Sequence, residues 1–218
     1  MSDTTMTQAA PTVRIRTALP SPVTVAKIVG AGAVGLVAWE VFAGHITPLV
    51  LGGPLQPTGL IRGLFANFVG VPISSTTASV LHYATALLFY PLGYVLMTQI
   101  AERAVPALRH LVWLAMLGFV AIMSVDFATM TVAQPLGAFL GLSLIGFAWI
   151  ADRTSISRSF GNGLMLGFGT WILALGVFVS LAGMPFMLNW GGLTWMSLIG
   201  HSLYGLAVAF VFDRLARA

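Results

Sequence analysis

Glu40, in the run "GAGAVGLVAWEVFAGH", and His201, in "GHSLYGLAVAFVFDR", are ionisable residues inside stretches that otherwise read as lipid-soluble. An ionised carboxylate inside a bilayer costs at least about 2.5 kcal/mol, so Glu40 has to be protonated, paired or in contact with water. Imidazole titrates near neutrality and is a natural partner for it. Tyr90, in "LLFYPLGY", and Asp126, in "MSVDFATM", are the other polar groups set in apolar surroundings. Together the four suit a polar pocket that holds a small solute or passes protons. His45 and His82 form a second candidate set, because imidazole nitrogens on separate membrane helices can hold a haem b or a metal ion. The chain has no cysteine, which excludes disulfides, thiolate metal sites and cysteine nucleophiles. Catalytic patterns are missing too: Ser74 and Ser75 have no base and orienting group at the required spacing, and neither a Gly-rich phosphate loop nor a His-Glu metal-helix motif occurs.

The elements that position these residues follow from composition. Of 218 residues, 58% are hydrophobic and 7% charged, against about 25% charged in a soluble domain. At about 20 apolar residues per crossing, the reading is an all-α polytopic membrane bundle. It has about six spans, near 24–46, 78–100, 109–131, 135–151, 163–185 and 191–212, arranged as three hairpins. Residues 1–22 read as a disordered tail and 23–218 as one bundle domain. The run after Lys27 reads as the first span and not as a cleaved signal peptide. Alternating sides put nine of the ten Lys and Arg residues on one face and Arg62 alone on the other. That asymmetry predicts both termini in the cytoplasm. The basic residues are thereby accounted for as topology signals, with no nucleic-acid partner implied.

Helical rise turns spacing into depth. Glu40 is thirteen residues from Lys27, about 20 Å, and His201 twelve from Asp213, about 18 Å. Tyr90, thirteen from Arg103, joins that level. Asp126 comes out higher, about 25 Å above Arg109, and His45 and His82 near the outer surface. The expectation is a Glu40–His201 hydrogen bond, with Tyr90 and Asp126 nearby in a pocket open outward. In the competing reading each side chain snorkels to the interface. His82, about 12 Å above His201 on this scale, is too far away to share an iron with it.

Secondary features complete the drawing. Trp113 and Trp149 fall near inner helix ends, and Trp190 and Trp195 near an outer end, as interfacial anchors. Pro91 interrupts the second span and frees a backbone carbonyl that a neighbour must satisfy. The outer connection, about 46–77, opens with "TPLVLGGPLQPTG", too rich in Pro and Gly for regular structure. It continues as a short interfacial helix with Leu60, Ile61, Leu64, Phe65, Phe68 and Val69 on one face and Arg62, Gly63, Ala66 and Asn67 opposite. Gly137 with Gly141, and Gly163 with Gly167, are packing pairs. The first and last hairpins echo each other in a Gly-rich rising helix, a Pro-containing link and a returning helix with a histidine.

The chain resembles the YagU-type bacterial inner-membrane proteins. The likeness rests on a Gly-rich first span ending in Trp39 and Glu40 before Pro48, on His82 ahead of Gly93 and Tyr94 with a one-residue slip, and on Gly200-His201 opening the last span. It covers the first and last hairpins and implies an inner-membrane location, directing attention to Glu40, His82 and His201. That family has no settled activity, so the likeness implies no reaction.

The functional expectation is a non-catalytic inner-membrane protein, an accessory or assembly subunit of a larger membrane complex, with the bilayer and other membrane subunits as partners. The alternatives are small-solute or proton-linked transport through the Glu/His pocket, and a haem- or metal-binding subunit.

Overall fold

The computed structural model describes residues 21–103, 106–126, 131–132, 135–153 and 158–217. Residues 1–20, most of the predicted tail, lie outside the described residues. Helix α1 begins at Pro22, where the Ser21 hydroxyl accepts the Thr24 amide at 3.2 Å. This is a serine cap followed by a proline that has no amide to lose. α1 spans Pro22–Leu51. A short α2, Pro57–Leu64, is prolonged by a π turn at Phe65–Val69. α3 consists of Ser75–Ala84, a π turn at Thr85–Phe89 and Tyr90–Arg103. α4, Pro106–Met123, is followed by a two-residue antiparallel ladder of β1, Val125–Asp126, with β2, Thr131–Val132. α5 is Pro135–Arg153, α6 is Arg158–Leu181, and α7 is Gly192–Arg217.

The architecture is helical, but the predicted span 109–131 is helical only to Met123 and gives way to β1 at Val125–Asp126. Among the described residues, four helices are long and apolar enough to cross a membrane: α1, Ser75–Gln99 of α3, α6 and α7. The apolar part of α4, Leu108–Met123, is shorter. Helices α6 and α7 form the centre, with 56% and 61% of their apolar windows buried against 33% for α1 and 22% for α3. Their contact is close because glycines line it: a Cβ on Gly167 would lie 2.6 Å from the His201 carbonyl oxygen, and one on Gly163 2.9 Å from that of Gly205. Without large side chains at the seam, dispersion contacts run backbone to backbone. One core fills the α4–α7 side around Trp113, Phe168, Trp171 and Leu198. The other joins α1, α3, α6 and α7 around Trp39, Tyr94, Leu166 and Tyr204. Large apolar side chains such as Val37, Phe89, Phe139 and Ile150 are exposed outside, the pattern of a lipid-facing surface.

Two prolines inside helices are handled alike. Pro48 and Pro91 have no amide to offer the carbonyl five residues back, in Ala43 and Ala86. In each case a π turn, Phe42–Ile46 or Thr85–Phe89, ends just before the proline and widens the helix where the ring would clash. Both orphaned carbonyls find other donors: the Leu55 amide reaches Ala43 O at 3.3 Å, and the Tyr204 hydroxyl reaches Ala86 O at 2.5 Å. The widened turn at Pro48 also corrects the expectation that "TPLVL" is irregular. The helix continues to Leu51 and stops at Gly52, whose φ of 74° ends it in a left-handed conformation.

The tryptophans correct a second expectation. Trp190 and Trp195 are each 7% exposed and Trp113 is fully buried, so they are core residues and not interfacial anchors. Gly137 and Gly141 make room for the Trp195 indole, whose Nε1 donates to the Trp190 carbonyl at 3.1 Å. Next to this cluster, Met187, Leu188, Asn189 and Trp190 all have φ between 47° and 55°. Each such non-glycine residue costs about 1–2 kcal/mol. The turn is held by a bond from the Thr194 hydroxyl to the Met187 carbonyl and by the burial of Met187.

Candidate functional site

The π turns of α2, α3 and α6 each contribute to the wall of one cavity of 620 Å³ roofed by α2. Leu60, Ile61, Leu64 and Phe65 of α2 face into it. Phe68 and Val69, predicted on the same face, are exposed at 64% and 51%. The correction has a cause. Gly63 and Asn67, predicted opposite, dock on the turn after α6: Asn67 Nδ2 donates to the Ala182 carbonyl at 2.7 Å, and a Cβ on Gly63 would lie 3.1 Å from that oxygen. That docking rolls the helix so that its first turns, and not its last, cover the space.

The polar wall comes from α1, α3 and α7. His201 is buried at 8% exposure, and its Nδ1 donates to the Ser197 carbonyl at 2.8 Å, with the Ser197 hydroxyl at 3.2 Å. A carbonyl only accepts, so the proton sits on Nδ1 and Nε2 is the acceptor of the neutral ring. The Trp39 ring stands edge-on to the imidazole, centroids 4.6 Å apart, and its Nε1 is buried without a hydrogen-bond partner. Tyr90 and Tyr204 meet edge to face at 5.9 Å, and both line the cavity with His82.

Glu40 pairs with His82 and not with His201: His82 Nε2 donates to Glu40 Oε1 at 3.2 Å. Consecutive helical residues point about 100° apart. Trp39 takes the direction toward His201, so Glu40 turns outward, its side chain 46% exposed. The depth estimate also needs revision. Because α1 runs on to Leu51, Glu40 lies about 16 Å below its top, near the level of His82, two turns into α3. His82 and His201, predicted at different heights, line the same cavity. Tyr90 lines the same cavity. Asp126 has its backbone in β1, and its side chain lies outside the described residues. His45 is exposed in the first π turn, while His82 is occupied by Glu40. Among the described residues, no group of three or more His, Asp or Glu side chains gathers to hold a metal.

No family model, curated protein or solved structure matches the chain.

Sequence reasoning missed a second polar assembly, at the predicted inner end. Arg109 of α4 donates through Nε to Asp152 Oδ2 of α5 at 2.7 Å and through its terminal nitrogen to Asp152 Oδ1, and it also reaches Asn162 Oδ1 of α6 at 2.8 Å. Trp113 Nε1 donates to Asp152 at 3.0 Å. Tyr94 of α3 donates to Asp213 of α7 at 3.0 Å, and the Ser159 hydroxyl bonds the other oxygen of that carboxylate. Burial pushes the Asp152 carboxyl up, but the bonds from Arg109 and Trp113 and the guanidinium charge outweigh it and hold it below its ordinary value. By sequence Arg109 reads only as a topology charge. The signal lay in its carboxylate and amide partners on other predicted helices, whose pairing the sequence alone does not give.

Proposed function

We propose that this chain is a non-catalytic, integral membrane protein that binds a small, largely apolar molecule in the outer half of its bundle. The observation that carries the reading is the 620 Å³ cavity beneath α2, walled by apolar side chains with His82, His201 and Tyr90 converging on it. Ligand sites of this kind run to about 300–1,000 Å³ and combine apolar walls with a few placed polar groups. The left-handed turn at 187–190 gives further support, since Leu188 lines the cavity and strained backbone concentrates at functional sites. Gly137, Gly141, Gly163 and Gly167 all pack within the chain and so lend no support to the accessory-subunit reading. In the full drawing, α4 and α5 also cross the membrane, making three hairpins with both termini on the cytoplasmic side of a bacterial inner membrane. The nine-to-one distribution of basic residues supports it.

The test is purification in lipid nanodiscs, then solvent extraction and mass spectrometry. A small molecule at near one-to-one ratio is expected with the native chain and is lost in Leu64→Trp, which fills the cavity from its roof. The reading fails if the extracts are identical and no apolar compound raises the melting temperature of the native protein above that of Leu64→Trp.

A further inference from the structure

We propose that the molecule held in the cavity is an uncharged, lipid-soluble alcohol or phenol, its head hydroxyl donating to His201 Nε2 and accepting from the Tyr90 hydroxyl. This rests on the ligand-binding reading above and adds the chemistry of the ligand.

The polar groups around the cavity leave a specific vacancy. Nδ1 of His201 is committed to Ser197, so Nε2 presents a lone pair that no described residue fills. Tyr204 spends its proton on the Ala86 carbonyl, and His82 Nε2 is bonded to Glu40. Tyr90 contacts Tyr204 through its ring and makes no hydrogen bond to a described residue through its hydroxyl. The wall thus offers an open acceptor on α7, His201 Nε2, and an open donor on α3, the Tyr90 hydroxyl; His82 Nδ1 and the exposed Gln56 amide also line it without a bond to a described residue. Trp39 Nε1, beside His201, is a second donor without a partner. A hydroxyl complements this set because one atom both donates and accepts. A simple ketone or ether leaves His201 without a donor, and a hydrocarbon leaves every group unsatisfied, which is costly in an apolar space.

Charge argues the same way. None of the cavity-lining residues is Lys, Arg, Asp or Glu, and the nearby Glu40 is turned outward to His82. A carboxylate or ammonium head would be desolvated there without a counter-ion. The apolar remainder of the wall, with the rings of Phe65 and Phe178, suits an alkyl or ring body.

The experiment compares 4-octylphenol with its methyl ether, 4-octylanisole, and with 4-octylbenzoate, in nanodiscs holding the full chain, read by tryptophan fluorescence against empty discs. The phenol is expected to bind roughly tenfold more tightly than the ether, because the ether cannot donate. In His201→Phe the ratio should fall toward one while the ether's affinity changes by less than about threefold, whereas in Tyr90→Phe phenol and ether should both weaken and the ratio persist, because the ether oxygen also accepts from Tyr90. If His201→Phe does not fold, the phenol-to-ether ratio in the native chain decides. Equal binding of phenol and ether, both excluded by Leu64→Trp, overturns the alcohol assignment and leaves the cavity reading standing. Tighter binding of the benzoate overturns the uncharged head. No binding by any of the three, in native chain or variants, overturns the cavity reading together with this one.

Discussion

Glu40 illustrates how far a single residue's position in the sequence reaches. Its need for a partner was legible from its apolar surroundings, but the partner was not, because depth along a helix says nothing about direction around it. The choice between His82 and His201 turned on Trp39, whose bulk takes the inward face and sends the next residue out. A double-mutant cycle checks the pairing. Glu40→Gln with His82→Phe should show coupling of about 0.5 kcal/mol, the scale of a half-exposed pair, and Glu40→Gln with His201→Phe should be additive in thermal stability. Asp152 carries a larger expectation, since its side chain is only 4% exposed and its hydrogen bonds come from charged and buried donors. Asp152→Asn should lower unfolding free energy by about 2–3 kcal/mol at pH 7. The sign of its pH dependence follows from the depressed native carboxyl. This stabilisation is fully present above the unfolded carboxylate value near 3.9 and drains away as pH falls through the lower native value. A melting series from pH 6 to pH 3 should show the native protein losing its advantage over Asp152→Asn only below about pH 4.

At the scale of elements, helix existence was readable from hydropathy and Pro91 as an interruption of a span, whereas Pro48 read as part of an irregular link. What the sequence left open was how the chain tolerates them. The answer is the same in α1 and α3: a π turn ahead of the proline, and a donor from elsewhere in the fold for the carbonyl it strands. In α3 that donor is Tyr204, which binds the wall of the cavity to the break in the helix. Removing its hydroxyl should therefore hurt only while the proline is present. Tyr204→Phe is expected to cost about 1–2 kcal/mol in the native background, the penalty of a buried carbonyl without a donor. Its cost should shrink to less than half of that in a Pro91→Ala background, where residue 91 regains an amide. Equal costs in the two backgrounds, by denaturation in matched lipid, would show that Tyr204 matters for packing alone. The roll of α2 was unreadable for a related reason: its apolar stripe is continuous through Val69, and the docking of Gly63 and Asn67 on Ala182 decides which part of the stripe is covered.

For the whole molecule, composition established a lipid-soluble helical chain, and the central place of α6 and α7 follows from glycines at 163, 167 and 205 that let their backbones meet. The number of crossings is where sequence and fold have to be joined by experiment. α1, the Ser75–Gln99 part of α3, α6 and α7 reach crossing length, while α4 and α5 form a hairpin closed by the β1–β2 ladder. Both a four-crossing and a six-crossing arrangement return the two termini to one side, so terminal tags do not discriminate. The α4–α5 link does: it lies outside if that hairpin crosses and on the side of Arg109 and Arg153 if it does not. Because the native chain contains no cysteine, single-cysteine variants report without background. Ala128→Cys should react with a membrane-impermeant maleimide added to intact cells, as should Gly53→Cys, whereas Arg217→Cys should react only after the membrane is opened. The six-crossing arrangement, and with it the placement of the Arg109–Asp152 network at the inner face, is lost if Ala128→Cys follows Arg217→Cys while Gly53→Cys still labels from outside.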